Sequence, residues 1–333
     1  MKKEFDIEVS FCVPVYNVEN YIEVCIESII AQTKNVCDYE IVCVDDNSSD
    51  NSYSILCKLA KNNPNITVYK NEENKGISYT RNRLIDLSRG KYLWFVDSDD
   101  MLYSGAVQKL LKVAKSTDGD IILANYIKIA ENDFQIERNR EKDCEFREIS
   151  ACDFDWLRDK NGECRMMSSC RGLINANYLK SNNIRYNPQV VFKEDSLLYY
   201  QLLLKKPKWV KCEFLCYCVR QRRGSAMRGG FIKRAKERYF SNLSLADELS
   251  VIQCENKVMS EAFLDVKKEL VTSLMNINNI STVFSQYKVI KSRGYIENGS
   301  SLNKRSVFIA HYTIKRIFRT CKALIFSILR LFK

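Results

Sequence analysis

The chain has 333 residues, 46% of them hydrophobic, and its 52 Lys and Arg against 41 Asp and Glu give a formal net charge of +11. This size allows one large domain or two smaller ones with buried cores. We expect no signal peptide, because Met1–Glu8 is charged and leads directly into a predicted strand. The 14 cysteines lack the paired spacing of a disulfide framework, so we expect reduced thiols in the cytosol.

The first half of the chain alternates between strand-like and helix-like patterns. Apolar runs predict strands at Val9–Val15, Glu40–Val44, Ile66–Tyr69, Lys91–Val96 and Asp120–Ile129. Helical spacing of apolar residues predicts helices at Glu19–Ala31 and Ser78–Ser88. This alternation indicates an α/β fold, a mostly parallel sheet of the Rossmann-like kind flanked by helices. The charged, aperiodic stretch Glu131–Glu148 is predicted to be a surface excursion.

Polar segments follow three of these strands, namely Tyr16 and Asn17, Asp45–Asp50 and Asp97–Asp100. The carboxyl ends of parallel strands share one edge of a sheet, so we expect these segments to converge on one crevice. Their chemistry favours a nucleotide-type ligand. The sequence has neither a Gly-x-Gly-x-x-Gly turn after the first strand nor a phosphate-binding P-loop, which argues against a dinucleotide enzyme or a P-loop NTPase.

Asp97 and Asp99 are the candidate metal ligands. Side chains two apart on an extended strand point to the same side, so these carboxylates are expected to converge while Ser98 points away. Two hard oxygen ligands suit Mg²⁺ or Mn²⁺ bound together with a phosphorylated substrate. The alternative is a polar turn that caps a helix beginning near Ser104.

Five motifs in the first two thirds of the chain closely resemble those of family 2 glycosyltransferases with the GT-A fold. They are VPVYN (Val13–Asn17), VDDNSSD (Val44–Asp50), NKGISYTRN (Asn74–Asn82), FVDSDD (Phe95–Asp100) and KED (Lys193–Asp195). Their order and spacing also match, over roughly residues 8–225. The resemblance implies transfer of a sugar from a nucleotide-sugar, usually a UDP-sugar, with inversion at the anomeric carbon.

By the same resemblance, the backbone at Pro14 and Tyr16 and the carboxylate of Asp46 bind the nucleobase. A carboxylate that accepts the N3–H of uracil makes a charge-assisted hydrogen bond and disfavours cytosine. Arg81 is expected near the base and the diphosphate, or else is an ordinary arginine on a helix surface.

Asp97 is expected to bind the ribose or the metal, and Asp99 the metal directly. Asp100 either assists them or caps the next helix. The divalent ion, Mn²⁺ or Mg²⁺, would bridge the two phosphates and neutralise charge as the nucleoside diphosphate leaves.

The general base implied by the resemblance is Asp195, which follows the strand-like Gln189–Phe192 and opens the helical run Ser196–Leu204. Inverting transfer requires one base that deprotonates the acceptor hydroxyl. The alternative is that Glu194 and Asp195 only cap the helix. Arg222, in VRQRRGSAM, matches an arginine that closes over the diphosphate, or lies in a solvated basic turn.

The last third of the chain departs from this pattern. Phe231–Gln286 reads as helices, and residues 301–333 carry eight Lys or Arg and no acid. Apolar residues in Tyr312–Phe332 follow helical spacing, but the longest uncharged run is too short to span a bilayer. This pattern indicates a basic amphipathic helix that lies on an anionic membrane, or a terminal helix that packs on the catalytic domain.

We therefore predict a GT-A domain at residues 1–228, a helical extension at 229–300 and the basic helix at 301–333. The predicted activity is non-processive sugar transfer to a saccharide or lipid-linked saccharide, in surface polysaccharide or glycoconjugate assembly. The predicted location is the cytoplasm, at the inner face of the cell membrane. A nucleotidyltransferase acting on a sugar phosphate and a non-catalytic membrane-associated assembly subunit are the alternatives. Nucleic-acid binding is not expected, because the chain has no aromatic or helical reading motif.

Overall fold

The computed structural model describes residues 7–33, 36–132, 145–149, 168–222 and 235–251, together with six isolated positions between 266 and 293. The chain divides into two compact units, Met1–Met227 and Arg228–Lys333. The finer division of the last third into an extension and a basic helix stays a prediction.

The first unit contains nine strands and six α-helices among its described residues. In chain order they are β1 (Val9–Val15), α1 (Ile22–Thr33), β2 (Tyr39–Asp45), α2 (Ser52–Asn62), β3 (Ile66–Lys70), α3 (Ile77–Leu87), β4 (Tyr92–Phe95), β5 (Met101–Leu102), α4 (Ala106–Thr117), β6 (Ile121–Ala130), β7 (Phe146–Ile149), β8 (Gly172–Asn175), α5 (Ala176–Ser181), α6 (Glu194–Leu204) and β9 (Trp209–Gln221).

The strands form one sheet in the order β3-β2-β1-β4-β8-β6-β9-β5, with β7 paired to β9. Strands β1 to β4, β6 and β9 run in one direction, and β5, β7 and β8 run in the opposite one. Every residue of β1 and β4 is buried, which is typical of central strands covered on both faces. The predicted α/β fold with a mostly parallel sheet is confirmed.

The loops after β1 and β2 are joined at the carboxyl edge of the sheet. The amide of Asp46 donates to the Val15 carbonyl at 2.8 Å, and the amide of Asn17 donates to Ser48 Oγ at 3.0 Å. The Asn17 side chain in turn accepts from the amide of Ser49 at 2.8 Å. Asn17 adopts φ 51°, a left-handed conformation that asparagine tolerates better than most residues. The predicted convergence of these two polar segments is therefore observed.

One predicted strand is wrong. Gln189–Phe192 is a turn and not a strand, because the Val190 amide donates to the Asn187 carbonyl at 3.0 Å and the Val190 carbonyl accepts from Ser78 Oγ at 3.1 Å. These hydrogen bonds occupy the amide and carbonyl groups of Val190, so neither group pairs with a neighbouring strand as in a sheet. Of the predicted surface excursion Glu131–Glu148, residues 146–148 are exposed and belong to the edge strand β7, which pairs antiparallel with β9, and residues 133–144 lie outside the described residues.

In the second unit, α7 (Ala235–Val251) lies within the predicted helical segment. The predicted amphipathic helix at Tyr312–Phe332 lies outside the described residues. Within the described part of the chain, no helix is both long and apolar enough to cross a bilayer.

A test of the sheet is Gly172→Ala at the start of β8. Gly172 has φ 151°, and a Cβ there would lie 2.0 Å from the Ile122 carbonyl oxygen, so we expect a loss of about 4 kcal/mol in the free energy of unfolding. The control is Gly105→Ala, where φ is 74° but no atom lies within 4 Å of the added carbon, with an expected loss of about 1 kcal/mol. Urea unfolding measures both; equal losses would contradict the strand pairing described.

Candidate active site

A buried arginine joins three segments of the first unit. The side chain of Arg81, on α3, is 4% exposed. Its Nη1 donates to Glu194 Oε1 at 2.8 Å and to Asp195 Oδ1 at 3.0 Å, and its Nη2 donates to Asp97 Oδ1 at 2.9 Å. The alternative of a helix-surface arginine is therefore wrong. Residues from α3, the loop after β4 and the first turn of α6 meet at this guanidinium, and we call the four residues the Arg81 cluster.

The Arg81 cluster concentrates negative charge around one cation. Burial raises the pKa of Glu194 to about 7, although the positive charge of Arg81 acts to lower it. The negative charge of the neighbouring Asp195 adds to the rise. Glu194 and Asp195 also occupy the first turn of α6, where the helix dipole favours anions. The N-cap of α6 is Lys193, without a side-chain cap hydrogen bond, so the two acids interact with the helix dipole and contact the cluster but do not cap the helix.

The aspartates after β4 lie in a turn. Strand β4 ends at Phe95, and the amide of Asp100 donates to the Asp97 carbonyl at 2.9 Å. The extended geometry behind the expectation is therefore wrong, but the two carboxylates still lie near each other, since burial and the charge of Asp97 raise the pKa of Asp99. Asp97 bonds Arg81, whereas Asp99 Oδ2 accepts from Arg222 Nε at 2.5 Å.

Strand β9 holds this turn from the other side. The Tyr217 hydroxyl accepts from the amide of Asp97 at 2.9 Å, and the Arg220 amide donates to Asp100 Oδ1 at 2.7 Å. Burial and the charges of Asp97 and Asp99 raise the pKa of Asp100 to about 8. Asp100 does not cap the next helix, since Gly105 precedes α4. Tyr217 belongs to no motif, and its only signal in the sequence is its place in a buried strand.

Arg222 is the last described residue before position 235, and the remainder of the VRQRRGSAM segment lies outside the described residues. Its guanidinium lies 5.4 Å from the ring centre of Tyr21, within cation–π range, as well as on Asp99. The structure therefore places the Arg222 side chain at a predicted metal ligand.

Asp97 and Asp99 fit a divalent cation. Each carboxylate gives one oxygen to an arginine and keeps a second oxygen, which is a hard ligand of the kind Mg²⁺ and Mn²⁺ prefer. Among the described residues, no group of three or more His, Cys, Asp or Glu is placed to hold a metal by itself. An ion held by this pair would need further ligands from a bound phosphate or from water.

The predicted nucleobase residues lie at the ends of β1 and β2. Pro14 is buried within β1, and the Tyr16 ring beyond it is 48% exposed. Asp46 is 4% exposed, and it accepts from the backbone amides of Lys75 at 2.9 Å and Gly76 at 2.8 Å. Asp46 thus fixes the loop that leads into α3 and Arg81, a role that the sequence did not suggest.

Two residues that the sequence analysis missed lie against Asp195. Ser169 Oγ donates to Asp195 Oδ1 at 2.7 Å, and the Tyr186 hydroxyl donates to Ser169 Oγ at 2.5 Å. Neither residue belongs to a motif, and each is far from β4 and α3 along the chain, so periodicity gave no signal for them.

A stability test of the Arg81 cluster is Arg81→Met. The change leaves three carboxylates without their shared cation, so we expect the free energy of unfolding to fall by about 3–5 kcal/mol. Arg83→Met on the same helix is the control, because Arg83 is half-buried and bonds two neutral groups, the Lys70 carbonyl and the Asn71 side chain. Its free energy of unfolding is expected to fall by about 1 kcal/mol. Denaturant titration distinguishes the two; a similar loss in both variants would contradict the central role of Arg81.

Residues 10–170 match the family model described as Glycosyl transferase family 2. The poly(ribitol-phosphate) beta-glucosyltransferase of Bacillus spizizenii is 30% identical over 228 residues, which is 68% of this chain and 34% of that protein. The chain thus spans about a third of the length of that relative.

Solved structures show the same fold. Staphylococcus aureus TarS 1-349 in complex with UDP-GlcNAc superposes with a TM-score of 0.58 and 20% identity, covering 81% of this chain and 72% of that one. The mannosyltransferase PcManGT from Pyrobaculum calidifontis, in complex with GDP-Man and Mn²⁺, gives a TM-score of 0.54 and 15% identity, covering 94% and 84%. With the matched motifs and the sheet described above, these findings place the chain in glycosyltransferase family 2, with the GT-A fold.

Proposed function

We propose that this protein is an inverting glycosyltransferase that moves a sugar from a UDP-sugar to an acceptor hydroxyl, with the help of a divalent metal. The observation that carries the proposal is the Arg81 cluster, which brings the candidate metal ligand Asp97 and the candidate base Asp195 onto one guanidinium. The TarS complex with UDP-GlcNAc supports a UDP-sugar as donor. The name of the Bacillus relative supports a role in surface polysaccharide or glycoconjugate assembly.

The donor is proposed to bind across the ends of β1 and β2. The backbone at Pro14 and Tyr16 and the carboxylate of Asp46 take the nucleobase, and the half-exposed Tyr16 ring is available to pack against it. Asp46 Oδ1 already accepts from the Lys75 amide and from Asn71 Nδ2, whereas Oδ2 accepts from the Gly76 amide and has a second lone pair that can accept an N–H from uracil. Arg81 offsets the three carboxylates that would otherwise repel the diphosphate.

Asp97 and Asp99 are proposed to hold Mn²⁺ or Mg²⁺. When bound, the ion neutralises the diphosphate as it departs. The Mn²⁺ in the PcManGT complex supports a divalent ion for this fold. Arg222 bonds Asp99 and so places a positive charge beside this carboxylate, in addition to that of the ion. Arg222 is also proposed to contact the diphosphate.

Asp195 is proposed to act as the general base. The acceptor oxygen attacks the anomeric carbon of the donor as its proton passes to Asp195, and the bond from that carbon to the phosphate oxygen breaks. The bonding electron pair leaves with UDP, and the configuration at the anomeric carbon inverts. One base and an in-line approach suffice for this step.

The acceptor is proposed to be a saccharide or a lipid-linked saccharide. Residues 301–333, outside the described part of the chain, carry the basic pattern that would bind an anionic membrane at its inner face. Such binding would bring a cytoplasmic enzyme to a lipid-linked acceptor.

The test of the base is Asp195→Asn, which keeps the shape of the side chain but removes its basicity. We expect UDP release from the preferred UDP-sugar to fall by about a hundredfold or more, with the Kd for UDP changed less than about twofold. Asp86→Asn is the matched control, because Asp86 lies on α3 with its side chain 63% exposed. Calorimetry with UDP and a UDP-release assay give the two quantities; an Asp195→Asn variant with near-normal turnover would refute the mechanism.

A further inference from the structure

A chain of buried hydroxyl groups leads to Asp195. Tyr186 donates to Ser169 Oγ at 2.5 Å and, more weakly, to Asp195 Oδ1 at 3.4 Å. Ser169 donates to the same Oδ1 at 2.7 Å. Both residues are buried, Ser169 being 1% and Tyr186 2% exposed. The hydroxyls therefore have little access to water and point toward a carboxylate.

The tyrosine is fixed at its backbone and at its ring. The side-chain amide of Asn82 donates to the Tyr186 carbonyl at 2.8 Å and accepts from the Tyr186 amide at 2.9 Å. The ring packs edge-on against Phe95, with centroids 5.7 Å apart, and lies 5.3 Å from the Arg81 guanidinium. Burial and the charge of Asp195 hold the pKa of Tyr186 well above its usual value, so the hydroxyl keeps its proton and donates.

Ser169 is fixed by the short helical turn that carries it. This single 3-10 turn, Ser169–Arg171, begins after Ser168, whose side chain accepts from the Cys170 amide. The indole of Trp94, on β4, donates to the Cys170 carbonyl at 2.8 Å and so ties the turn to the centre of the sheet. The serine hydroxyl is therefore held at a set position relative to the turn that carries Asp97.

We propose that Ser169 and Tyr186 are positioning residues for Asp195, an inference that rests on the proposed function. The bonds of Asp195 to other described side chains, which come from Arg81, Ser169 and Tyr186, all fall on Oδ1. These donors occupy both lone pairs of Oδ1. Oδ2 therefore carries the lone pair that takes the proton of the acceptor hydroxyl. The hydroxyl chain fixes the rotation of the carboxyl group and aims Oδ2 at the crevice.

The experiment uses the full chain with UDP-glucose and UDP-GlcNAc, with water as the acceptor, in Ser169→Ala and Tyr186→Phe variants. We expect kcat for UDP release to fall about tenfold or more, while KM for the donor and Kd for UDP change less than about twofold. Tyr178→Phe is the matched control, because its hydroxyl bonds the Lys205 carbonyl at 2.7 Å, and its kcat should be unchanged. Thermal unfolding of each variant verifies that it is folded.

The same two changes are then made in an Asp195→Asn background. Because the hydroxyls act through Asp195, they should change the residual rate there by less than about twofold. Equal losses in both backgrounds, or losses of kcat matched by losses of UDP affinity, would overturn the inference in favour of a purely structural role. Full activity of both variants would overturn it while leaving the proposed function intact. A wild-type protein that binds no UDP would overturn both.

Discussion

The burial of one guanidinium among three carboxylates is the constraint on which the site depends. A charged group can be buried only when it is paired, and Arg81 meets this condition through Asp97, Glu194 and Asp195. Its partners come from positions 16, 113 and 114 residues away along the chain. Because these bonds join both the loop after β4 and the start of α6 to α3, the three segments cannot separate without leaving a buried charge unpaired. The arrangement of the Arg81 cluster is therefore part of the folded protein itself.

Side chains that bond backbone groups surround this cluster and keep its parts in register. Tyr217 and Arg220 on β9 hold the aspartate turn, and Asp46 holds the loop that begins α3. Ser169 and Tyr186 hold the carboxylate of Asp195. Catalytic groups that are supported in this way lose little freedom when substrate binds, so more of the binding energy acts on the transition state. This shared support connects the fold to the proposed sugar transfer.

The sequence predicted the parallel half of the sheet well, because buried strands such as Val9–Val15 are continuous apolar runs whose limits are visible locally. It also predicted that the polar segments after the strands would converge, because the carboxyl ends of parallel strands lie at the same edge of a sheet. It failed at Gln189–Phe192, where the Ser78 side chain, from a distant segment, takes the Val190 carbonyl and no strand forms. It also gave the wrong reason for the directions of Asp97 and Asp99, which leave the extended conformation after Phe95. Ser169 and Tyr186 depend entirely on long-range contacts, which no local period encodes.

The most direct test of the central claim is UDP release by the full chain from a panel of UDP-sugars, with and without Mn²⁺. The account predicts metal-dependent release from one donor, and loss of that release in Asp99→Asn, because Asp99 would no longer provide a carboxylate to the ion. Formation of pyrophosphate from UTP and a sugar phosphate would instead identify a nucleotidyltransferase. That result, or failure of the wild-type protein to bind UDP at all, would contradict the assignment of this crevice to nucleotide-sugar chemistry.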